Sequence, residues 1–409
     1  MAGHYPGRWM MAETVALALG LISPGQLTSV PPPGRRLQGE HAPLKRWHRA
    51  LHAALTLLTA PGSAAADTAL GVLYKEQRPD GSFEHMPTVT AVVLLALTAG
   101  HTDATDAHGA GVRRKALDWL LASQQPDGTW RFLTTDIWDA SLYLRSLSGE
   151  PRFDHTARQA AERFLLSAQN ADGGWACASG LESDNDTTAA VLLALGGNAR
   201  TADARGRAHV YLRGQQLANG LWATWQSSDD HPAQDVTAHV VEALQATGCE
   251  LADTTRATDW LRERPALHGH WTAQWYASLP YAVAEIGHVV GVDSPQTCYA
   301  HGYLSAHRNP DGGWPVHPGA ASSPAATGLA LSALARSVRV HRDLLEGGVR
   351  YLTRAQDAEG RWEGEPMMFG PRPFLTHADS HTHAFTTAGL RAAIAHLNSG
   401  APRESLAVS

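Results

Sequence analysis

Cysteine is scarce: Cys177, Cys249 and Cys298 are the only three in 409 residues. They lie far apart and form no Cys-x-x-Cys pair, which argues against a disulfide framework and suits a reducing, cytoplasmic setting. No stretch reaches the roughly 18 apolar residues that a transmembrane helix needs. Val15–Ile22 is apolar but short and has Glu13 at its start, so it reads as a short amphipathic helix, not a signal peptide. Peripheral contact with a membrane stays open. No block of Lys or Arg stands out, and 33 basic against 39 acidic residues leave a net charge of −6, which excludes a nucleic-acid partner. The 22 histidines lack the short regular spacing of a zinc cluster. An apolar content of 44 % is ordinary for a globular chain and argues against disorder. A chain of this length can enclose a buried cavity. Nothing in it speaks to oligomeric state.

What the chain does have is a repeat. Gln-x-x-Asp-Gly-x-aromatic stands at Gln77–Phe83, Gln124–Trp130 and Gln169–Trp175. Altered copies follow at Gln216–Trp222, Arg308–Trp314 and Gln356–Trp362, and the most degraded ends on Gly269 and Trp271. The aromatic positions are separated by 43 to 49 residues, room for two helices and their turns. In each unit an amphipathic stretch such as Arg158–Ala168 ends at the motif. Glycine takes the turn because it tolerates positive φ, and a more apolar stretch such as Ala189–Leu195 or Ala325–Leu334 follows. The first helix of each pair is expected outside and the second inside. Such pairs build either a solenoid or a closed α/α toroid. Six would close a toroid, and about seven are visible, so one is surplus. The Gln and Trp of the motif read as staples between repeats, the indole on backbone and the amide on a helix end. They report the fold, not a reaction.

The segment Glu182–Ser183–Asp184–Asn185–Asp186–Thr187–Thr188–Ala189 breaks this pattern. Other inner helices open on Pro87–Thr88–Val89–Thr90 or Ser323–Pro324–Ala325. One Asp suffices to cap a helix, so two acids and two threonines ahead of an Ala/Val/Leu helix exceed that need. Aligned on Leu195 and Leu244, the next repeat puts Asp235 at the position of Asp186 and His239 one turn deeper. Trp138 and Asp139 fall at the same level in the preceding repeat, and Trp275, Tyr276 and Tyr281 in the following one. A lone His on an apolar helix is commonly a satisfied core residue, and each aromatic alone fits plain packing equally well. Together they suggest an acid set in the wall of an aromatic-lined cavity.

These motifs resemble those of the class II terpene cyclases, which include squalene–hopene, oxidosqualene and bacterial class II diterpene cyclases. The signature of that family is Asp-x-Asp-Asp followed by Thr-Ala, with the middle Asp as general acid. Asp184–Ala189 is similar to it, with Thr187 in place of the last Asp, as in drimenyl-diphosphate-type cyclases. Asp235–His239 resembles the hopene cyclase segment whose His bonds the acid. Trp275–Tyr281 resembles a labdane-type segment, and His383–Thr386 resembles the aromatic-bearing hopene cyclase terminus.

The resemblance implies an all-α fold, an (α/α)6 barrel of helical hairpins with a reduced second α-domain. Residues 1–24 would be an N-terminal helix belonging to the catalytic barrel, 25–110 a reduced γ-like helical segment, 111–400 the catalytic β-type barrel and 401–409 a disordered tail. It implies protonation-initiated cyclisation of a small hydrophobic isoprenoid, farnesyl or geranylgeranyl diphosphate, to a bicyclic drimane or labdane-type product. Asp186 would be the acid, with Asp184, Thr187, Asp235 and His239 completing its network. Trp138, Trp275, Tyr276, Tyr281 and Phe385 would face the travelling carbocation. No acidic Mg2+ motif appears in 25–110, so Mg2+ enters only as companion to a substrate diphosphate, and no covalently bound cofactor is implied. The terminating base has no clear sequence signal; His381 and His383 are the candidates. Competing readings are a cyclase of a squalene-like or prenylated aromatic substrate and a non-catalytic lipid-binding toroid. A protein prenyltransferase β subunit is disfavoured, because no cysteine sits in an Asp-x-Cys context.

Overall fold

Helices account for nearly all regular structure in the computed structural model, which describes residues 6–27, 45–100, 106–125, 128–131, 133–197, 199–224, 231–248, 254–369 and 375–399. The expected tail 401–409 and residues 28–44 of the expected 25–110 segment lie outside the described residues. In chain order the helices are α1 (Pro6–Ala18), α2 (Arg46–Thr59), α3 (Ala64–Glu76), α4 (Pro87–Gly100), α5 (Ala107–Ala122), α6 (Asp136–Ser146), α7 (His155–Ser167) and α8 (Asn185–Leu195). They continue as α9 (Ala202–Gly214), α10 (Gln234–Ala246), α11 (Thr255–His268), α12 (Leu279–Val290), α13 (Pro295–Ala306), α14 (Pro324–Leu334), α15 (Arg342–Ala355) and α16 (Asp379–Asn398). Among the described residues no helix is long and apolar enough to cross a membrane.

The even-numbered helices α6 to α16 form the inner wall. Each packs on the next, and α16 returns to α6, so the ring closes with six members. A closed toroid, not a solenoid, results. Outer helices α7, α9, α11, α13 and α15 back this ring. The staples of the repeat are present as expected. The indole Nε1 of Trp175 donates to Leu165 O at 2.7 Å, and Trp222, Trp271, Trp314 and Trp362 repeat the bond on Leu212, Leu261, Leu304 and Leu352. Gln169 Nε2 donates to Gly173 O and across to Ala204 O, each at 2.8 Å. Gly173 takes φ +89, and a Cβ there would lie 2.7 Å from Arg207 O, so two constraints select glycine. Closest of all is the α14–α16 crossing, where a Cβ on Gly389 would stand 2.0 Å from Gly328 O.

The surplus repeat is accounted for by a second, smaller core. Helices α2, α3 and α4 pack together and bury Leu51, Leu55, Leu73, Phe83, Val93 and Leu97. Two expected boundaries change here. Helix α1, expected in the catalytic barrel, packs on α2 and α4, because its apolar Val15 and Leu17 find this second core. The boundary expected between 110 and 111 falls inside α5, whose Val112 and Ala116 also join that core. The smaller body docks on the ring just ahead of α8. Lys45 Nζ donates to Ser183 O at 3.4 Å, the Arg46 amide donates to Glu182 Oε2 at 2.9 Å, and an Arg78 guanidinium reaches Gly180 O at 2.6 Å.

Candidate active site

The repeat itself separates structural residues from spare ones at the start of α8. In three inner helices the main-chain N–H of the motif tryptophan donates to a threonine hydroxyl: Trp175 to Thr188 (2.9 Å), Trp222 to Thr237 (3.4 Å) and Trp314 to Thr327 (2.9 Å). In α16 the Trp362 N–H donates to His383 Nε2 at 3.3 Å instead. Thr188 is thus a staple, and so is His383, which leaves the latter no free role as a base. Asp184 is the N-cap of α8: it accepts from the Thr187 amide at 2.6 Å and the Thr187 hydroxyl at 3.0 Å. Ser323 caps α14 in the same way. Two residues before each staple stand Asp186, Asp235 and Ala325. Since α14 carries Ala325 there, the fold does not need a carboxyl at 186. Asp186 is the spare acid.

Asp186 is 4 % exposed and lines a cavity of about 80 Å³ together with Asp184, Thr187, Trp138, Trp275 and Tyr276. The sequence did not anticipate the rest of the wall: Leu133, Thr135, Cys177, Thr224, Met368 and Phe369. Met368 and Phe369 come into place because Ala277 N donates to Met367 O (2.8 Å) and Phe369 N to Trp275 O (2.7 Å), which ties the segment before α12 to the approach to α16. Tyr281 and Phe385, expected on the wall, lie one layer behind it. Tyr281 stacks on Tyr276 with ring centroids 4.1 Å apart, and Phe385 meets Tyr276 edge-on at 5.6 Å. They back the aromatic face because their helices pack inward at that level.

Behind Asp186 the neighbouring helices supply a charge chain. His239 on α10 is wholly buried, with Nδ1 2.5 Å from Asp186 Oδ1 and Nε2 3.0 Å from Glu285 Oε2 on α12. Burial alone would lower its pKa, yet the carboxylates on its two nitrogens lift it to about 10, so it is an imidazolium donating to both. Glu285 is held far below the usual carboxylate range: burial opposes this, but the Arg145 guanidinium and His239 outweigh it. Arg145 of α6 crosses the barrel interior to Glu285 (3.3 Å) and Glu242 (3.6 Å). Glu242 also faces His288 at 3.0 Å. Glu285 and Arg145 were missed in the sequence. Lone charges on otherwise apolar inner helices were the available signal.

Burial pushes the Asp184 carboxyl up to about 7, with the nearby Asp186 charge adding to it against the Thr187 amide bond. Burial also raises Asp235, and the charge of Asp186 adds to that rise against the pull of His239. Asp235 accepts from the Gln274 main-chain amide at 2.8 Å. His239 and Asp235 do not line the cavity; they act on Asp186 from behind. An acid cluster of this kind, walled by indoles and a phenol, can hold a proton beside an apolar ligand.

With this geometry in place, comparison with known proteins decides the family. Residues 113–197 match the Squalene-hopene cyclase N-terminal domain and residues 225–393 the Squalene-hopene cyclase C-terminal domain. The chain belongs to the squalene–hopene cyclase family, the class II terpene cyclases. Drimenyl diphosphate synthase of Streptantibioticus cattleyicolor is 28 % identical over 80 % of this chain and 66 % of its own length. Squalene–hopene cyclase of Alicyclobacillus acidocaldarius is 29 % identical over 94 % of this chain and 72 % of its own. The chain therefore spans about two thirds of these curated relatives. Among solved structures, ent-copalyl diphosphate synthase from Streptomyces platensis superposes with a TM-score of 0.55 at 16 % identity, covering 95 % of this chain and 94 % of that one. A type II terpene cyclase from Scytonema, in complex with geranylgeranyl dihydroxybenzoate, gives 0.54 at 16 % identity over 86 % and 99 %. At such identities these two support the fold, and the family match carries the rest.

Proposed function

We propose that this squalene–hopene cyclase family member cyclises a linear isoprenoid by protonating a terminal alkene from Asp186. The observation that carries the reading is a cavity-lining carboxyl that the repeat does not require, hydrogen-bonded to a buried imidazolium. The Asp186 carboxylate takes up a proton before each turnover, on the oxygen that His239 does not occupy. The alkene π pair forms the new C–H bond, the adjacent carbon becomes cationic, and the carboxylate left behind is neutralised by His239. A neutral carboxyl next to a positive charge is a stronger acid than one alone, which suits donation to carbon. Trp138, Trp275 and Tyr276 present the π faces that stabilise the cation, about 2 kcal/mol or more each when desolvated. Recharging draws a proton from solvent, which reaches this network past the ionised Glu285, whose side chain is 15 % exposed. Free thiols at Cys177 and Cys298 suit a reducing cytoplasm.

Farnesyl or geranylgeranyl diphosphate is the first substrate class, by the similarity to drimenyl diphosphate synthase, and a bicyclic drimane or labdane skeleton the product. Among the described residues no group of three or more His, Cys, Asp or Glu could hold a metal ion. Mg2+ is assigned only as companion to the diphosphate, and no step runs through it. A second reading, a squalene-like or prenylated aromatic substrate, is favoured by one observation: no Lys or Arg is among the described residues lining the cavity. Incubating the enzyme with farnesyl diphosphate, geranylgeranyl diphosphate and squalene, with and without Mg2+, separates the two by mass spectrometry. Asp186→Asn tests the chemistry. Turnover should fall by at least the 100- to 10,000-fold typical of a general acid, with ligand binding retained. Unchanged product formation refutes the assignment.

A further inference from the structure

On the same cavity wall as Asp186 a second hydrogen-bonded chain leads away. Tyr276 lines the cavity, and its hydroxyl oxygen accepts from Trp138 Nε1 at 3.0 Å. The indole has only a donor to offer, so the phenol hydrogen cannot point there. It points to His381 Nδ1, 3.1 Å away. The other ring nitrogen, Nε2, is 2.9 Å from Asp139 Oδ1. Asp139 also accepts from Thr135 Oγ1 (2.9 Å) and Ser380 Oγ (2.8 Å). A carboxylate held by those donors selects the Nε2–H form of the imidazole, leaving Nδ1 as the acceptor for the phenol. His381 is 2 % exposed, and it stands two residues before the staple His383, the position Asp186 occupies in α8. Helices α6 and α16, which carry Asp139 and His381, adjoin in the ring, and α6 adjoins α8. None of this is needed to donate a proton. All of it is suited to receiving one.

We infer that Tyr276 takes the terminating proton of the cyclisation, with His381 and Asp139 behind it as positioning residues that carry the charge. The inference rests on the cyclase reading above. A C–H bond next to the final cation breaks and its electron pair becomes the ring alkene. The proton goes to Tyr276 Oη as the phenol's own proton passes to His381 Nδ1, and Asp139 balances the imidazolium. A hydrogen beside a carbocation is so acidic that a neutral phenol suffices once its own proton has somewhere to go. Burial keeps that phenol neutral, well above its ordinary range. The substrate class follows: the product is an alkene whose new double bond is set by the carbon nearest Tyr276, not an alcohol formed by water capture.

The test compares product ratios from farnesyl and geranylgeranyl diphosphate and squalene for wild type, Tyr276→Phe, His381→Gln and Asp139→Asn. Wild type should give one dominant cyclic alkene. In His381→Gln and Asp139→Asn KM should stay within about 2-fold, and in all three variants the dominant alkene should fall at least 10-fold relative to other alkene isomers and alcohols. Tyr276→Phe keeps the ring and guards against a packing defect, and circular dichroism checks that each variant is folded. An unchanged product ratio in folded His381→Gln and Tyr276→Phe overturns the inference while leaving Asp186 as the acid. Wild type that turns over no isoprenoid overturns the cyclase reading, and this inference falls with it.

Discussion

Glu285→Gln isolates the electrostatic part of the acid's surroundings. His239 rises from 6.5 to about 10 with a carboxylate on each ring nitrogen, about 5 kcal/mol of preference for the imidazolium. Asp186 at 2.5 Å takes the larger share and Glu285 at 3.0 Å the smaller. Gln keeps an acceptor for Nε2–H and removes the charge, so the pKa of His239 should fall. A raised histidine pKa contributes stability that is complete below 6.5 and is lost as pH rises through the folded value. The variant should therefore lose more stability relative to wild type at pH 7, by on the order of 1–2 kcal/mol, than at pH 10, where His239 is already giving up its proton in wild type. Arg145 also loses a partner, but Arg145 and Glu242 stay charged across this window, so that loss is constant and cancels in the comparison. Urea unfolding at the two pH values, with the His239 ring nitrogens followed by NMR, measures both quantities. A destabilisation equal at pH 7 and pH 10, or a His239 ring already neutral at pH 7 in wild type, would refute the reasoning.

Asp184→Asn keeps an acceptor for the Thr187 amide and removes a carboxyl raised from 3.8 to about 7. A raised carboxyl pKa gives stability below the unfolded value that is lost as pH rises through the folded one. The variant should thus gain about 2–3 kcal/mol on wild type between pH 5 and pH 8, read by denaturant titration at each. At the α14–α16 crossing, Gly389→Ala forces a Cβ to within 2.0 Å of Gly328 O; a loss of about 1–3 kcal/mol or more is expected in thermal unfolding at fixed pH.

What the sequence made legible was whatever repeats. Seven copies of one turn motif carried the toroid and its inner and outer layers, because a staple has to recur at every joint. Asp186 was legible as a departure from those copies, and His239 because it lies one turn along the neighbouring helix at the same level. Residues whose role depends on lateral packing were not legible. Tyr281 and Phe385 were placed on the wall because aromatic residues at a helix start fit a wall and a second layer equally well. Met368 and Phe369 were missed because they reach the cavity through a short ladder between distant segments, which leaves no periodic trace. Helix α5 carries an outer-helix pattern, yet Val112 and Ala116 found the smaller core, a choice between two apolar surfaces that hydrophobic periodicity cannot make.

The staple also explains how chemistry can vary in such a ring without disturbing it. The N–H of the motif tryptophan fixes one residue of each inner helix start: Thr188, Thr237, Thr327 or His383. Two residues earlier the side chain is released from the joint, and the occupants are Asp186, Asp235, Ala325 and His381. An acid, a second acid, a methyl group and an imidazole share one structural address on four helices of a closed ring. Because helix starts gather at one end of a toroid, residues far apart in sequence meet there at hydrogen-bonding range, as Asp186 meets His239 from the next helix. Changing the residue at that address alters what a cavity can donate or accept, while cap and staple hold the helix where it was.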